Sequence, residues 1–306
     1  MRGLVGAIVI GIWTALTPAY AAAPRVVASI KPLHALVAGV MEGVGLPDVL
    51  IKGSGSLHAY ALRPSEAELL HEADIVFWVG PVFETFLTKP LAALAANAQT
   101  VALIDAPGVK VLRARAGGVW GDGAEDGGHD HAGARDDGHI WLSPSNTKAM
   151  VAAIAQTLSA RDQANAVRYH DNAAALTSKL DRLDADLRRT LMPMRNKPFI
   201  AFHDAYQYFE AAYGLKAVGS ITVTPERAAG ARRIAEIRDK ISGLGSICVF
   251  SEPQFEPKLV QTLVSETQAK TGVLDPEGST LAQGPDLYFN LMRNLADNLV
   301  RCLATS

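Results

Sequence analysis

Two series of short strand-like runs, separated by a stripe of leucines at helical spacing, constrain the fold of this chain more than any other feature. In each series, β-branched or aromatic runs alternate with helical patterns, which is typical of parallel sheets covered by helices on both faces. The runs are Arg25–Ile30, Asp74–Val79 and Thr100–Ile104 in the first series, and Phe199–Phe202, Ala217–Ile221, Ser246–Phe250 and Gly272–Leu274 in the second. The sequence therefore predicts an α/β protein with two lobes, each a mostly parallel sheet flanked by helices.

The leucine stripe predicts how the lobes are joined. Its members recur at spacings of three and four with charged residues between them: Leu176, Leu180, Leu183, Leu187 and Leu191. This spacing is typical of a long amphipathic helix, which is stiffer than a Gly/Ser linker. We expect an N-terminal lobe over residues 22–160, a rigid connecting helix over 161–194 and a C-terminal lobe over 195–306. An ordinary surface helix is the alternative. Two further helices are predicted, one opened by a Ser65/Glu68 capping box and one over Pro225–Ile241.

The first residues resemble an export signal. Arg2 precedes an apolar stretch from Leu4 to Leu16, and the small-residue pattern that ends at Ala21 follows. We predict a signal peptide over residues 1–21 with cleavage after Ala21. The apolar stretch is too short to span a bilayer comfortably, and no cysteine near the cleavage point offers a lipid attachment site. The sequence therefore favours a soluble periplasmic protein over a membrane-anchored one.

The composition of the chain narrows the classes of molecule that it could bind. The chain has 306 residues, a formal charge of −2 and acids and bases interspersed, so there is no basic stripe to indicate a nucleic-acid partner. A small solute is the expected ligand. The two cysteines, Cys248 and Cys302, predict one structural disulfide in an exported protein, with two buried free thiols as the alternative.

Four side chains predict a metal site assembled from distant segments. His203 directly follows Phe199–Phe202, Asp275 follows Gly272–Leu274, and His58 lies in a glycine-rich loop after another apolar run. His139 lies in a loop segment. Ligands of open α/β sheets gather beyond the carboxyl ends of strands, and three imidazoles plus a carboxylate or water complete the tetrahedral shell of zinc. Any one of these histidines alone would more often be an ordinary hydrogen-bonded residue, so the hypothesis depends on their joint placement.

Six ordered motifs resemble those of the ZnuA-type periplasmic zinc-binding proteins of ABC importers. They cover nearly all of the chain beyond the signal: Leu57–Glu66, Ala73–Pro81, Gly138–Pro144, Phe202–Tyr206, Ser251–Phe255 and Leu274–Pro276. The resemblance implies a monomeric two-lobed protein that captures Zn2+ between its lobes and delivers it to a membrane permease with a cytoplasmic ATPase. The family ligands match His58, His139 and His203. Some relatives place a glutamate before the first histidine, but Leu57 cannot coordinate, which leaves the fourth position to Asp275 or water.

Residues 117–138 are similar to a shortened form of the acidic, histidine-rich loop of this family. The segment is rich in Gly and Asp, cannot form a packed core and is expected to be mobile. His129 and His131 predict a second, weaker zinc site there, and a solvated insertion is the alternative. Outside the loop, Glu252 and Asp204 are candidates for carboxylates that orient a ligand histidine, although either could instead cap a helix.

Three other functions compete with zinc import. Manganese-selective relatives carry a carboxylate where this chain has His203, and imidazole favours zinc over manganese. A zinc hydrolase would need an open coordination position, and the sequence has neither a His-Glu-x-x-His helix nor a Gly-x-Ser-x-Gly elbow. A surface adhesin is disfavoured because the anchor residue is missing. We therefore predict a non-enzymatic, zinc-binding transport protein.

Overall fold

The computed structural model describes most of the chain beyond the predicted signal peptide. The described residues are 23–53, 60–115, 119–120, 135–222, 230–244, 247–255, 258–265 and 267–304. Three of the predicted metal ligands, His58, His129 and His131, lie outside this part of the chain, as does the signal peptide. Their roles therefore stay predictions.

The first half of the chain forms a parallel sheet covered by helices. Its strands and helices are β1 (Val26–Ala28), α1 (Lys31–Val40), β2 (Asp48–Val49), α2 (Pro64–Glu72), β3 (Ile75–Trp78), α3 (Thr88–Leu94), β4 (Gln99–Ala102) and α4 (Pro144–Arg161). The strand order is β2-β1-β3-β4, and every neighbouring pair is parallel. Strand β3 is buried along its whole length, which explains its unbroken apolar sequence.

The second half repeats this arrangement. Its strands and helices are β5 (Pro198–His203), α6 (Gln207–Tyr213), β6 (Lys216–Thr222), α7 (Ala231–Leu244), β7 (Cys248–Ser251), α8 (Lys258–Val264), β8 (Lys270–Val273) and α9 (Leu287–Leu303). The order β6-β5-β7-β8 is again parallel throughout. The predicted fold of two parallel sheets flanked by helices is therefore confirmed.

A long helix, α5 (Ala166–Leu191), lies between the two halves. All five leucines of the stripe are buried, and the helix packs against α1 and α4 from the first half and α9 from the second. One continuous apolar cluster contains residues of both sheets, including Phe77 and Phe199. Because separating the halves would expose this apolar surface to water, the core opposes large hinge opening.

Local details differ from the predictions at one helix. Helix α2 begins at Pro64, so Ser65 already lies inside it, and the Arg63 N–H donates to the Glu66 carboxylate at 2.8 Å. The predicted Ser65/Glu68 capping box is therefore wrong by two positions, because proline occupies the first helical position. The predicted helix over Pro225–Ile241 is described only from its later residues, as part of α7.

The predicted disulfide is confirmed. Cys248 of β7 is bonded to Cys302 of α9, 54 positions later in the sequence. The bond ties the last helix to a central strand of the second sheet. Among the described residues, no helix combines the length and apolar character required to cross a membrane.

Candidate metal centre

Two buried histidines face each other where the halves of the protein meet. His203 is the last residue of β5, and His139 lies directly before a 3-10 turn, Ile140–Leu142, that leads into α4. Their side chains are 4% and 7% exposed. The two Nε2 atoms are 3.3 Å apart. His139 is carried by a loop that follows the first sheet, and His203 by the end of a strand in the second sheet. The fold therefore places the two Nε2 atoms next to each other.

A carboxylate lies against the opposite nitrogen of each imidazole. Asp137 Oδ1 is 2.7 Å from His139 Nδ1 and also accepts the His139 backbone N–H at 3.0 Å. The two Glu252 oxygens are 2.7 and 2.8 Å from His203 Nδ1. A carboxylate in this position accepts a hydrogen bond from Nδ1–H, so the neutral form of each ring carries its lone pair on Nε2. Both lone pairs then point into the same small space.

The environment of His203 is strongly electrostatic. Burial is the largest single effect and lowers the pKa of the His203 imidazole, but the charge and hydrogen bond of Glu252, together with the charges of Glu277 and Asp204, outweigh it, so the net pKa is raised. The Tyr206 hydroxyl donates to Glu252 Oε1 at 3.2 Å, which helps to hold the carboxylate in place. This end of the site therefore favours positive charge.

The aromatic rings of Phe83 and Trp141 form an apolar wall behind His139. The Phe83 ring meets the His139 ring edge-on at 5.2 Å and the Trp141 ring at 5.0 Å. Gly138 leaves room for this contact, since a Cβ there would lie 2.6 Å from the Cβ of Phe83. The Trp141 indole N–H donates to the Pro276 carbonyl at 2.8 Å, which ties this wall to the second half of the chain. The imidazole is thus held by packing on its faces and by Asp137 at its edge.

Asp275 lies near the site, but both of its carboxylate oxygens already accept hydrogen bonds. Its Oδ1 accepts a hydrogen bond from the Gln254 amide at 3.1 Å, and its Oδ2 accepts one from the Ser279 hydroxyl at 2.9 Å. Within the described residues, no group of three or more His, Cys, Asp or Glu side chains is assembled closely enough to hold a metal ion. The structure brings His139 and His203 together and does not bring Asp275 to them.

The two candidate orienting carboxylates have different environments. Glu252 contacts His203 directly, whereas Asp204 forms an ion pair with Arg115. The pairing of Asp204 was not anticipated, because Arg115 is 89 residues away in sequence.

Two acidic residues near the site were missed by the sequence analysis. Asp137 had been grouped with the acidic loop, although its position two residues before His139 could have indicated its role. Glu277 follows Asp275 in the same loop. Its side chain keeps some exposed surface but is densely surrounded by protein, and burial raises the pKa of its carboxyl to about 8, against the opposing effect of His203.

Known proteins of similar sequence are zinc-uptake components. The family profile described as "ZnuA: Zinc-uptake complex component A periplasmic" matches residues 26–302. A relative from Brucella suis, named high-affinity zinc uptake system protein ZnuA, is 50% identical over 305 residues that cover 91% of each chain. A relative of the same name from Yersinia pestis is 37% identical over 310 residues, with 92% of each chain covered.

Solved structures share the fold. The structure titled "Crystal structure of ZnuA" has a TM-score of 0.77 and 24% identity, with 92% of this chain and 99% of that chain covered. The periplasmic zinc-binding protein TroA from Treponema pallidum has a TM-score of 0.75 and 20% identity, with the same coverage. The protein FpvC from Pseudomonas aeruginosa, in complex with Mn2+, has a TM-score of 0.77 and 22% identity, again with the same coverage. The profile match and the sequence relatives together show that this chain belongs to the ZnuA family of periplasmic zinc-uptake components.

Proposed function

We propose that this protein binds Zn2+ as its transported ligand, through His58, His139 and His203, and delivers it to an ABC permease. The observation that carries the proposal is the separation of 3.3 Å between the two Nε2 atoms. Two nitrogens bound to one tetrahedral zinc ion at 2.0–2.1 Å lie about 3.3–3.4 Å apart. The spacing therefore fits one edge of a zinc coordination tetrahedron.

The protonation pattern supports the same conclusion. With both Nδ1 atoms donating to carboxylates, the two Nε2 atoms face each other at a distance that requires a proton or a metal cation between them. Asp137 and Glu252 also supply negative charge next to the ligands, as carboxylates behind metal-bound histidines commonly do. These features suit a divalent cation, and two buried imidazoles favour zinc over manganese.

The remaining positions of the shell are assigned by inference. We propose His58 as the third ligand, because its motif matches the family and because Ile51 and Gly53, shortly before it, lie beside Lys31 and Glu277 at the junction of the halves. The fourth position belongs to Asp275 or to water. Asp275 would have to exchange its bonds to Gln254 and Ser279 for the metal, which makes it a weaker ligand than the histidines.

The cellular setting follows from family membership. We propose that the chain is exported by its signal peptide, works as a monomer in the periplasm and hands zinc to an inner-membrane permease with a cytoplasmic ATPase. We do not assign an enzymatic activity, because the family is one of transport components, and because a shell closed by Asp275 would leave no position for a substrate. His129 and His131 are proposed as a weaker auxiliary zinc site.

Zinc titration of the apoprotein tests this function. Native mass spectrometry counts the bound ions, and competition with a chromophoric chelator gives the affinity of His58→Ala, His139→Ala and His203→Ala. Each variant should lose more than the 10–100-fold that removal of an outer-shell partner produces. His170→Ala, which removes an exposed imidazole on α5, is the matched control and should bind normally.

Two results would contradict the proposal. One is wild-type zinc affinity in any two of the three histidine variants. The other is a stronger affinity for Mn2+ than for Zn2+ in the same competition assay. Incubation of the zinc-loaded protein with ester and peptide substrates tests the hydrolase alternative, and turnover above that of the zinc-free protein would favour it.

A further inference from the structure

A short two-stranded ribbon lies at the root of the acidic loop. We define the root ribbon as residues 112–115 and 135–137. Its arms are antiparallel: the Ala114 N–H donates to the Arg135 carbonyl at 2.9 Å, and the Asp137 N–H donates to the Leu112 carbonyl at 2.8 Å. The second arm ends with Asp137, the residue that hydrogen-bonds His139. The ribbon therefore carries the support of one imidazole.

Helix α6 of the second half holds both arms of the root ribbon. The Tyr208 hydroxyl accepts the Leu112 N–H at 3.0 Å and donates to the Asp137 carbonyl at 2.7 Å. The Gln207 amide donates to the Arg113 carbonyl at 3.0 Å and to Asp137 Oδ2 at 3.3 Å. The ribbon is thus fastened to the same half of the protein that carries His203.

Arg115, at the end of the first arm, adds a buried ionic contact. Its Nε donates to Asp204 Oδ2 at 2.9 Å, and its Nη2 donates to Glu210 Oε1 at 2.7 Å. The two carboxylates are only 8% and 9% exposed, and the guanidinium lies 3.8 Å from the centre of the Trp120 ring. Asp204 directly follows His203 in the chain. One guanidinium therefore connects the ribbon to the turn that directly follows the second imidazole.

We propose that Arg115 is a positioning residue for the zinc site: it locks the root ribbon onto the turn after His203 and so holds the two Nε2 atoms at their zinc-binding separation. A planar guanidinium that bonds two carboxylates tolerates little change in their geometry. Ligands held in place before binding require less ordering when the metal arrives. The inference rests on the proposed zinc function and names the residue that sets the geometry of the site.

Two variants test the role of Arg115, because the simplest substitution is unsuitable. Arg115→Met alone would leave two buried carboxylates without a cation, which destabilises a fold. The triple variant R115M/D204N/E210Q removes the charges together, and Arg115→Lys keeps the charge but loses the planar fork. Arg232→Met is the matched control, because the Arg232 side chain pairs at the surface with Glu236 on α7, outside the root ribbon, and the two side chains are 93% and 48% exposed.

The readouts are thermal unfolding, zinc affinity by chelator competition and the visible spectrum of the Co2+-loaded protein, which reports the coordination geometry. The folded triple variant should bind zinc about 10-fold more weakly or worse, in the range seen when an outer-shell partner is lost, with an altered Co2+ spectrum. Arg115→Lys should fall between the triple variant and wild type. Arg232→Met should stay within about twofold of wild type, as expected for an exposed ion pair.

Wild-type affinity and an unchanged Co2+ spectrum in either folded Arg115 variant would overturn the inference. If neither R115M/D204N/E210Q nor Arg115→Lys folds, the inference is also overturned. The ionic contact of Arg115 with Asp204 and Glu210 would then stabilise the fold rather than the spacing of the ligands. The proposed function has a separate readout: if wild type and His139→Ala bind zinc equally, the zinc site itself is misassigned, whatever the Arg115 variants do.

Discussion

Replacing Glu252 by Gln removes a charge from the buried contact behind His203 while nearly preserving the shape of the side chain. In the wild type, both carboxylate oxygens lie within 2.8 Å of His203 Nδ1, and the Tyr206 hydroxyl donates to one of them. In the variant, the amide oxygen can still accept a proton from Nδ1, but the NH2 group cannot. We therefore expect weaker zinc binding with the fold retained.

The magnitude follows from these contacts. A hydrogen bond to a charged group contributes about 1.5–3 kcal/mol, and a neutral one about 0.5–1.5 kcal/mol. Exchanging the charged contact for a neutral one should therefore reduce the free energy of zinc binding by about 1–2 kcal/mol. This corresponds to a loss of roughly 5–30-fold in affinity. The upper part of this range overlaps the 10–100-fold loss that is typical when an outer-shell partner of a metal ligand is removed.

Chelator competition at constant pH and ionic strength measures the effect, and thermal unfolding of the apoprotein confirms that the variant is folded. Glu236→Gln is the control, because Glu236 forms an exposed pair with Arg232 on α7 and should bind zinc as wild type does. A Glu252→Gln affinity within twofold of wild type, combined with a large loss in His203→Ala, would refute the claim that Glu252 supports the ligand.

Three further predictions concern stability and the acidic loop. Replacing Cys248 and Cys302 together by Ala should lower the free energy of unfolding by about 4 kcal/mol, because the disulfide closes a long loop, across a sequence separation of 54, in the unfolded chain. Urea unfolding measures this change, and a value below about 1 kcal/mol would contradict the prediction. Burial raises the pKa of Glu84 to about 7, so the free energy of unfolding falls as pH rises from about 4.5 to 7. Above pH 7, Glu84→Gln should remove up to about 3 kcal/mol of this loss of stability. A stability difference between variant and wild type that is equal at pH 5 and pH 8 would reject this effect. Deleting residues 122–133, which spares Asp137, should leave one tight zinc site by native mass spectrometry, and loss of that site would place the loop in the main shell.

Much of the fold could be predicted because its signals are local. The leucines of α5 repeat at helical spacing over several turns, and all of them are buried. The runs around Phe77 and Phe199 combine high β propensity with short length, which separates buried strands from helices. The start of α2 was misplaced because Ser65 and Glu68 fit the capping pattern as well as the true start at Pro64 does.

The site could be predicted in part. His203 was identifiable because it ends an apolar run, and Glu252 because it follows the next strand along the sheet. Asp137 was missed because, within an Asp-rich segment, composition cannot distinguish a buried acid from a solvated one. The ion pair of Arg115 with Asp204 could not be predicted, since it joins residues 89 positions apart and depends on how the halves pack.

Anomalous diffraction at the zinc absorption edge, from crystals of the zinc-loaded protein, tests the central claim most directly. The account predicts one strong peak between the halves, about 2.0–2.1 Å from the Nε2 atoms of His139 and His203, with His58 as the third nitrogen ligand. A zinc peak elsewhere on the protein, with no density between His139 and His203, would contradict it.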